Sequence, residues 1–313
     1  MLKDQEYVYC GSKYEPDSYL TELGEDNMKG FSVANSNDGR LERKSRQSGE
    51  KGYLLPVDED ESDRLDSQHK LYLTVMEGNL GCAPVGAPRQ VLEVATGTGI
   101  WALEYATLNP ACHVLGTDIS AIQRPHSRPN LKFVLHDFEN EAWPAEYGRD
   151  YDYIHLRYTV LCFNSTPAVL RRAFELLRPG GWIEFYEPSQ SFVRLGKFRE
   201  GGTTFEKWVD LMVEAARREG RDWTKTVHLV TWLREAGFIN VTEKRFGLPI
   251  NTWPRDERLK QMGRLSFKNE FALVSSLGSA LRKVVPDEEE AQAIEEGVRR
   301  DLQDPKMHFV REM

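Results

Sequence analysis

The stretch Val91-Leu-Glu-Val-Ala-Thr-Gly97-Thr-Gly99-Ile-Trp-Ala102 holds the most specific chemical signal in the chain, an apolar run leading into a glycine turn that opens a helical pattern. Glycines at 97 and 99 let backbone N–H groups approach a ligand where a Cβ would collide, and the first turn of the following helix has unpaired donors. The spacing Gly97-x-Gly99-x-x-Ala102 also fits the dinucleotide fingerprint, so the loop alone leaves a nicotinamide-dependent oxidoreductase open. Asp118 stands 21 residues beyond Gly97, at the end of the next apolar run. A carboxylate there can accept hydrogen bonds from both hydroxyls of a ribose, which points to a nucleoside ligand. Asp137-Phe138 closes the third apolar run, where an acid and an aromatic ring could read the amino group and the face of adenine.

A second set of residues could move a proton. His155 and Arg157 alternate on one face of the fourth strand pattern, Glu187 ends the fifth, and His69 lies on a helix that precedes them all. His69, His155 and Glu187 are the candidate catalytic groups; a general base contributes about 10² to 10⁴-fold where an acceptor must lose a proton. Each histidine also reads as a hydrogen-bonded structural residue. His113, His126, His136, His155 and His228 fall in separate elements without ligand spacing, so no metal site is expected. Tyr158, Phe163, Tyr186, Phe192 and Trp208 could bind a flat or apolar acceptor, although Trp208, Met212 and Ala215 share one helical face and read equally as core.

The elements that must hold these groups alternate strand and helix. Strands are expected at 91–95, 113–119, 131–137, 151–160 and 182–187, a pattern that argues for an α/β fold with a parallel sheet covered by helices on both faces. A helix at 168–177 ends at the turn Arg178-Pro-Gly-Gly181. Before the sheet, Leu65, His69, Tyr72 and Met76 share one helical face, and Asp58 with Glu61 could form a capping box. The domain reading is a mobile segment at 1–50, a lid helix region at 51–84 and a main domain at 85–313. Within that domain lie a helical insert at 189–235, a strand at 239–246 and a helical C-terminal region at 255–304.

Together, Glu93-x-Ala95-x-Gly97-x-Gly99, Asp118, Asp137-Phe138 and Leu177-Arg-Pro-Gly-Gly-Trp-Ile-Glu184 resemble the class I S-adenosylmethionine-dependent methyltransferases, whose sheet is Rossmann-like. More narrowly, GYLLPVDEDESDRLDSQH, VLEVATGTGIWALEYA, VLGTDISAIQ and LRPGGWIEFYE are similar to the fungal LaeA-like methyltransferases. The likeness is good over residues 50–190 and looser beyond; residues 1–50 match nothing. It implies S-adenosyl-L-methionine as cofactor, with Glu93, Ala95, Gly97 and Gly99 around the methionine moiety, Asp118 at the ribose, and Asp137 and Phe138 beside adenine. Thr98, Ile119 and Arg157 belong to the same implied cofactor-binding set. The family's segment before the sheet lies over the cofactor, which makes Arg64, Gln68 and His69 candidate lid contacts to the cofactor's carboxylate or to the acceptor.

The resemblance implies methyl transfer to an oxygen or nitrogen of a small molecule in fungal secondary metabolism. Its alternative is a nuclear regulator of secondary metabolism acting through a velvet-type protein partner. The oxidoreductase reading recedes, because Asp137-Phe138, the Arg178-Pro-Gly-Gly-Trp turn and a sheet starting near residue 90 fit methyltransferases better. Two features depart from the family pattern: Ala95 stands where many relatives have glycine, and the chain stops at His308-Phe-Val-Arg-Glu-Met313 instead of a long apolar last strand. The edge beside the sixth strand is therefore expected to be partly open.

Composition narrows the partners. Lys+Arg 41 against Asp+Glu 49 leaves a net charge of −8, so no basic field awaits a nucleic acid. No apolar run approaches the length of a membrane span, and acidic and polar residues interrupt the N-terminus, so the expected location is the cytoplasm, or the nucleus for the regulatory alternative. The four cysteines are widely spaced and are expected to be unpaired thiols.

Overall fold

The computed structural model describes residues 6–9, 54–188, 192–194 and 202–312. Its ten strands are β1 (Glu6–Tyr9), β2 (Gln90–Val94), β3 (His113–Asp118), β4 (Leu131–Leu135), β5 (Tyr151–Arg157), β6 (Leu177–Tyr186), β7 (Phe192–Arg194), β8 (Ile239–Glu243), β9 (Gly247–Ile250) and β10 (Phe309–Glu312). Seven form one sheet in the order β4-β3-β2-β5-β6-β1-β8, and every pairing in it is parallel. Central strands of such a sheet are covered on both sides and so read as continuous apolar runs; in β2 Val91, Leu92 and Val94 are all buried. Glu93, the exception in that run, is buried with them.

Helices α1 (Glu59–Val75), α2 (Ile100–Leu108), α3 (Thr166–Leu176), α4 (Thr204–Arg218) and α5 (Leu229–Glu235) follow in chain order, and α6 (Glu257–Ser276), α7 (Gly278–Val284) and α8 (Glu288–Gln303) complete the helical part. Asp58 caps α1 by accepting from the Glu61 N–H at 2.8 Å. The Glu61 carboxylate itself turns inward, to Arg64 and Ser276. Helices α3 and α5 cover one face of the sheet through Leu170, Ala173 and Leu233, while α2 covers the other through Trp101, Ala102 and Ala106. Helix α4 packs with α6, α7 and α8 in a separate apolar cluster that includes Trp208, Met212, Leu281 and Val298. The acidic run Asp287–Glu290 is a helix start: Asp287 accepts from the Glu290 N–H at 2.7 Å, and the following acids sit at the positive end of the α8 dipole.

Three local expectations change. The Arg178–Gly181 turn lies inside β6, where the pairing slips from Tyr151↔Leu177 to Tyr153↔Trp182. Gly181 is needed there because a Cβ would stand 2.9 Å from the Tyr151 carbonyl oxygen. The place beside the sixth strand of the sequence pattern, here β8, expected to be partly open, is taken by Glu6–Tyr9, which pairs with β8 on one side and with Trp182–Phe185 of β6 on the other. The C-terminal β10 joins β7 and β9 in a small antiparallel sheet instead. Sheet-edge N–H and C=O groups are thus paired by strands remote in sequence. Cys82 is disulfide-bonded, contrary to the expectation of free thiols, whereas Cys112 and Cys162 are free; Cys10 and the rest of the segment 1–50 beyond β1 lie outside the described residues.

Candidate active site

The carboxyl ends of β2, β3, β4 and β5 open into one cavity of about 410 Å³, roofed by Pro56, Val57, Leu65 and Gln68 from α1 and the chain leading to it. Its floor is the glycine loop. Ala95, Gly97 and Gly99 all take positive φ, at 57°, 57° and 76°, so the chain turns sharply out of β2, and the Thr96, Gly97 and Gly99 N–H groups donate to the Thr117 carbonyl, Asp118 Oδ2 and the Thr96 carbonyl. The two glycines serve different ends. Gly97 lines the cavity, and a Cβ there would meet only Leu65 Cδ1 at 3.5 Å. Gly99 is buried and does not line it; a Cβ would run into the Phe133 ring at 2.3 Å, as would one on Gly116 at 2.6 Å. Expected as a ligand contact, Gly99 is instead the seat for Phe133 and the N-cap of α2. Ala95 adopts the left-handed conformation that glycine tolerates better.

Asp118 stands at the second wall. Its Oδ2 accepts from the Gly97 N–H at 2.8 Å and its Oδ1 from the Ser120 N–H at 2.9 Å. Burial pushes its carboxyl up to about 6, against the two backbone donors that favour the anion. Each oxygen keeps a further lone pair for a hydroxyl. Ile119, 46% exposed although large and apolar, faces the same cavity. Thr98 also lines it and donates to Asp66 of α1 at 2.7 Å; Asp66 in turn accepts from Arg124 at 2.7 Å, so the lid is clasped to the loops below.

Asp137 and Phe138 reach the cavity, but the Asp137 carboxylate is already organising its own turn, accepting from the Glu139 and Asn140 N–H groups at 3.1 Å each. Phe138 is buried, with the Arg172 guanidinium 5.7 Å from its ring centre. Glu93 lines the cavity wall at the end of β2; burial pushes its carboxyl up to about 7, and the Thr96 hydroxyl donates to it. Arg157 completes that wall beside it.

None of the three expected catalytic groups lies on the cavity wall. His155 is fully buried beneath the loop, stacked on Trp101 at 3.8 Å between centroids, and burial drives its pKa down to about 3. A ring so reluctant to accept a proton and so enclosed has no path to an acceptor. Glu187 accepts from the Thr159 and Val160 N–H groups at 2.7 and 3.1 Å and from the Thr159 hydroxyl at 2.5 Å. It holds the start of the loop that carries Cys162 and Phe163 to the cavity. His69 faces Arg157 and Glu104 behind the wall. Of the proposed lid contacts, Gln68 reaches the cavity, while Arg64 turns away toward Glu61 and Asn269.

The same loop is held from its other end by residues that sequence patterns did not single out. Arg221 donates to the Cys162 carbonyl at 2.9 Å and Lys225 to the Phe163 carbonyl at 2.7 Å. Tyr158, which opens the loop on the cavity side, has φ 55°, an uncommon conformation for a bulky residue and one that persists only when its surroundings enforce it. No local motif marks Arg221 or Lys225. Among the described residues no cluster of His, Cys, Asp and Glu could hold a metal ion, and no helix is long and apolar enough to cross a membrane.

A glycine loop, a strand-end acid that holds it, and a roofed cavity at the carboxyl edge of a parallel sheet define a class I nucleoside-cofactor fold, and the family comparison agrees. A methyltransferase domain model matches residues 68–243, and the chain belongs to that family. It is 33% identical to Methyltransferase pytC of Aspergillus terreus over 82% of this chain and 80% of that one. Probable methyltransferase tdiE of Emericella nidulans is 30% identical over 71% of this chain and 69% of its own. Secondary metabolism regulator LAE1 of Cochliobolus heterostrophus is 33% identical over 82% and 86%. The protein is thus a methyltransferase related to fungal secondary-metabolism methyltransferases and LaeA, and its cofactor is S-adenosyl-L-methionine. The residues present suit that molecule: positive-φ backbone leaves room over Gly97, Asp118 offers acceptors for a ribose, and Ile119 with Phe138 offers apolar surface for a flat base.

Proposed function

We propose that this methyltransferase acts on an oxygen or nitrogen of a small molecule in fungal secondary metabolism. The observation that carries the reading is the roof. The donor residues and the acceptor wall, Tyr158, Cys162 and Phe163, share a single cavity of about 410 Å³ beneath Pro56–Gln68, which suits a compact acceptor. Asp118 would hold the ribose, Ile119 and Phe138 the adenine faces, Asp137 the adenine amino group, and Gly97, Thr98, Ala95 and Glu93 the remainder of the cofactor.

When bound, S-adenosylmethionine supplies a methyl group on a sulfonium, which moves in line to the acceptor's lone pair. The chain's task is alignment and exclusion of water, which can supply most of such an acceleration. The roof and the loop bearing Tyr158 and Phe163 do this, with Glu187, Arg221 and Lys225 as positioning residues that hold the loop. With His69, His155 and Glu187 away from the cavity, an acceptor whose lone pair is free at neutral pH suits the site.

Calorimetric titration of the full chain with S-adenosylmethionine and S-adenosylhomocysteine, with NAD and NADP as controls, tests the donor half. Asp118→Ala is expected to weaken the first pair about tenfold or more; unchanged binding would overturn the assignment. Mass spectrometry of small phenols and amines incubated with the protein and cofactor tests the acceptor half. The likeness to LAE1 supports a second reading, a regulator with a velvet-type protein partner. Methyl transfer to a protein with none to small molecules would favour it.

A further inference from the structure

Arg157 brings a positive charge to the cavity wall, where the Glu93 carboxyl on the neighbouring strand feels that charge without forming an ion pair with it. Its guanidinium donates from Nη1 to His69 Nδ1 at 2.9 Å and lies over the Tyr72 ring at 4.9 Å. Among the described residues it makes no ion pair. A cation held by a neutral ring and a phenol at the wall of a cavity, with no direct ion pair, is arranged to receive an anion.

The sheet register says where that anion lies. Val94 pairs with Leu156, so Arg157 stands beside Ala95, where the glycine turn begins. This is the end of the cavity away from Asp118 and Asp137, the residues suited to ribose and adenine. The only anionic group of S-adenosylmethionine is the carboxylate of its methionine moiety. Glu93, on the neighbouring strand, stands ready for the adjacent ammonium. Burial keeps the Glu93 carboxyl at about 7, so it cancels the Arg157 charge only in part near neutral pH.

We propose that Arg157 binds the cofactor's carboxylate and that His69 is its positioning residue, anchored in turn by Glu104. The hydrogen bond from Arg157 determines the tautomer. Arginine can only donate, so Nδ1 of His69 must accept, and the ring proton sits on Nε2, 3.0 Å from Glu104 Oε2. His69 comes from α1, Glu104 from α2 and Arg157 from β5. The lid therefore orients the charge that receives the cofactor's tail without touching the cofactor itself. This inference rests on the cofactor reading above.

The test uses the full chain and two ligands, S-adenosylmethionine and its decarboxylated analogue, titrated calorimetrically. Arg157→Met is expected to weaken the first about tenfold or more and to leave the second nearly unchanged; Arg157→Lys recovers part of the loss. His69→Ala is expected to weaken the first about threefold or more, and His69→Asn, whose Oδ1 can accept where Nδ1 did, to restore it. Equal loss for both ligands in Arg157→Met, or no effect of His69→Ala, overturns the inference while leaving the cofactor reading intact. Failure of the unaltered chain to bind either ligand overturns the reading itself.

Discussion

The two halves of the cavity are held in different ways. On the donor side the bonds are short in sequence: Asp118 accepts from Gly97, 21 residues away, and Gln123 donates to the Gly97 carbonyl from 26 residues away. On the lid side the bonds reach across the chain. Arg64 donates to Asn269 at 2.6 Å and Ser276 to Glu61 at 2.7 Å, over separations of 205 and 215 residues, and Arg311 of β10 pairs with Glu270 of α6 at 2.9 Å, both buried. The donor floor is a backbone shape enforced by φ angles and small residues. The lid is a docked element, and a buried polar chain between α1 and α6 does the docking. A chemistry common to many relatives needs the first arrangement, while a site shaped for one acceptor can vary through the second.

The largest expected effect lies on the lid side. Arg64→Ala leaves the buried Glu61 carboxylate with the Ser276 hydroxyl but without its cationic partner and should cost about 3–5 kcal/mol, read from the urea midpoint at unchanged slope. A loss below about 1 kcal/mol would mean that the Arg64–Asn269 bond does not dock the lid. Gly97→Val strikes the donor side in the opposite manner. There is room around a Cβ at this position, so the fold should survive, but φ 57° disfavours a β-branched residue and the side chain enters the cofactor space. Cofactor affinity should fall about a hundredfold by calorimetry, with a smaller change in stability than Arg64→Ala.

A pH series separates the two sides further. Burial holds Glu93 and Glu187 at about 7, above the ordinary 4.5. The folded chain therefore keeps protons that the unfolded chain has released, and the stability these two carboxyls contribute should rise as pH falls from about 8 toward 4.5. The slope approaches about 1.4 kcal/mol per pH unit for each carboxyl. Below 6.5 His155 acts in the other sense, since burial holds it at about 3 and the unfolded chain takes up a proton that the folded chain refuses. Glu93→Gln should remove about half of the carboxyl slope, the part due to Glu187 remaining; an unchanged slope would show that Glu93 does not titrate there. The smallest effect is Ala95→Gly. Relief of a left-handed alanine is partly offset by the greater chain entropy of glycine, giving a gain below about 1 kcal/mol in thermal unfolding.

Much of the donor side was legible because its determinants are local. A buried strand, a glycine turn and a strand-end acid follow one another in a single run of sequence, and Glu93, Ala95, Gly97, Thr98, Asp118, Ile119, Asp137, Phe138 and Arg157 all reach the cavity wall. Gly99 shows the limit even there. Its spacing suggests a ligand contact, yet the residue that demands it is Phe133 on a neighbouring strand. The acid–base candidates stand off the cavity wall for a related reason. His155 and Arg157 alternate on one face of β5, and only its last residue clears the glycine loop into the cavity. Glu187, at the end of β6, meets the amides of Thr159 and Val160 before it can meet an acceptor.

The amino-acid sequence alone determined the α/β alternation, the glycine turn at the end of β2 and the acids that face it, because hydrophobic period, backbone conformation and strand ends are written within a few tens of residues. Only the tertiary structure decided which strand lies beside β6, which side chains roof the cavity, and that His69 serves Arg157 across the lid. Those outcomes depend on pairing buried polar groups that stand 88 to 215 residues apart, and such partners are selected by the packing that brings them together rather than by any pattern in their own neighbourhoods.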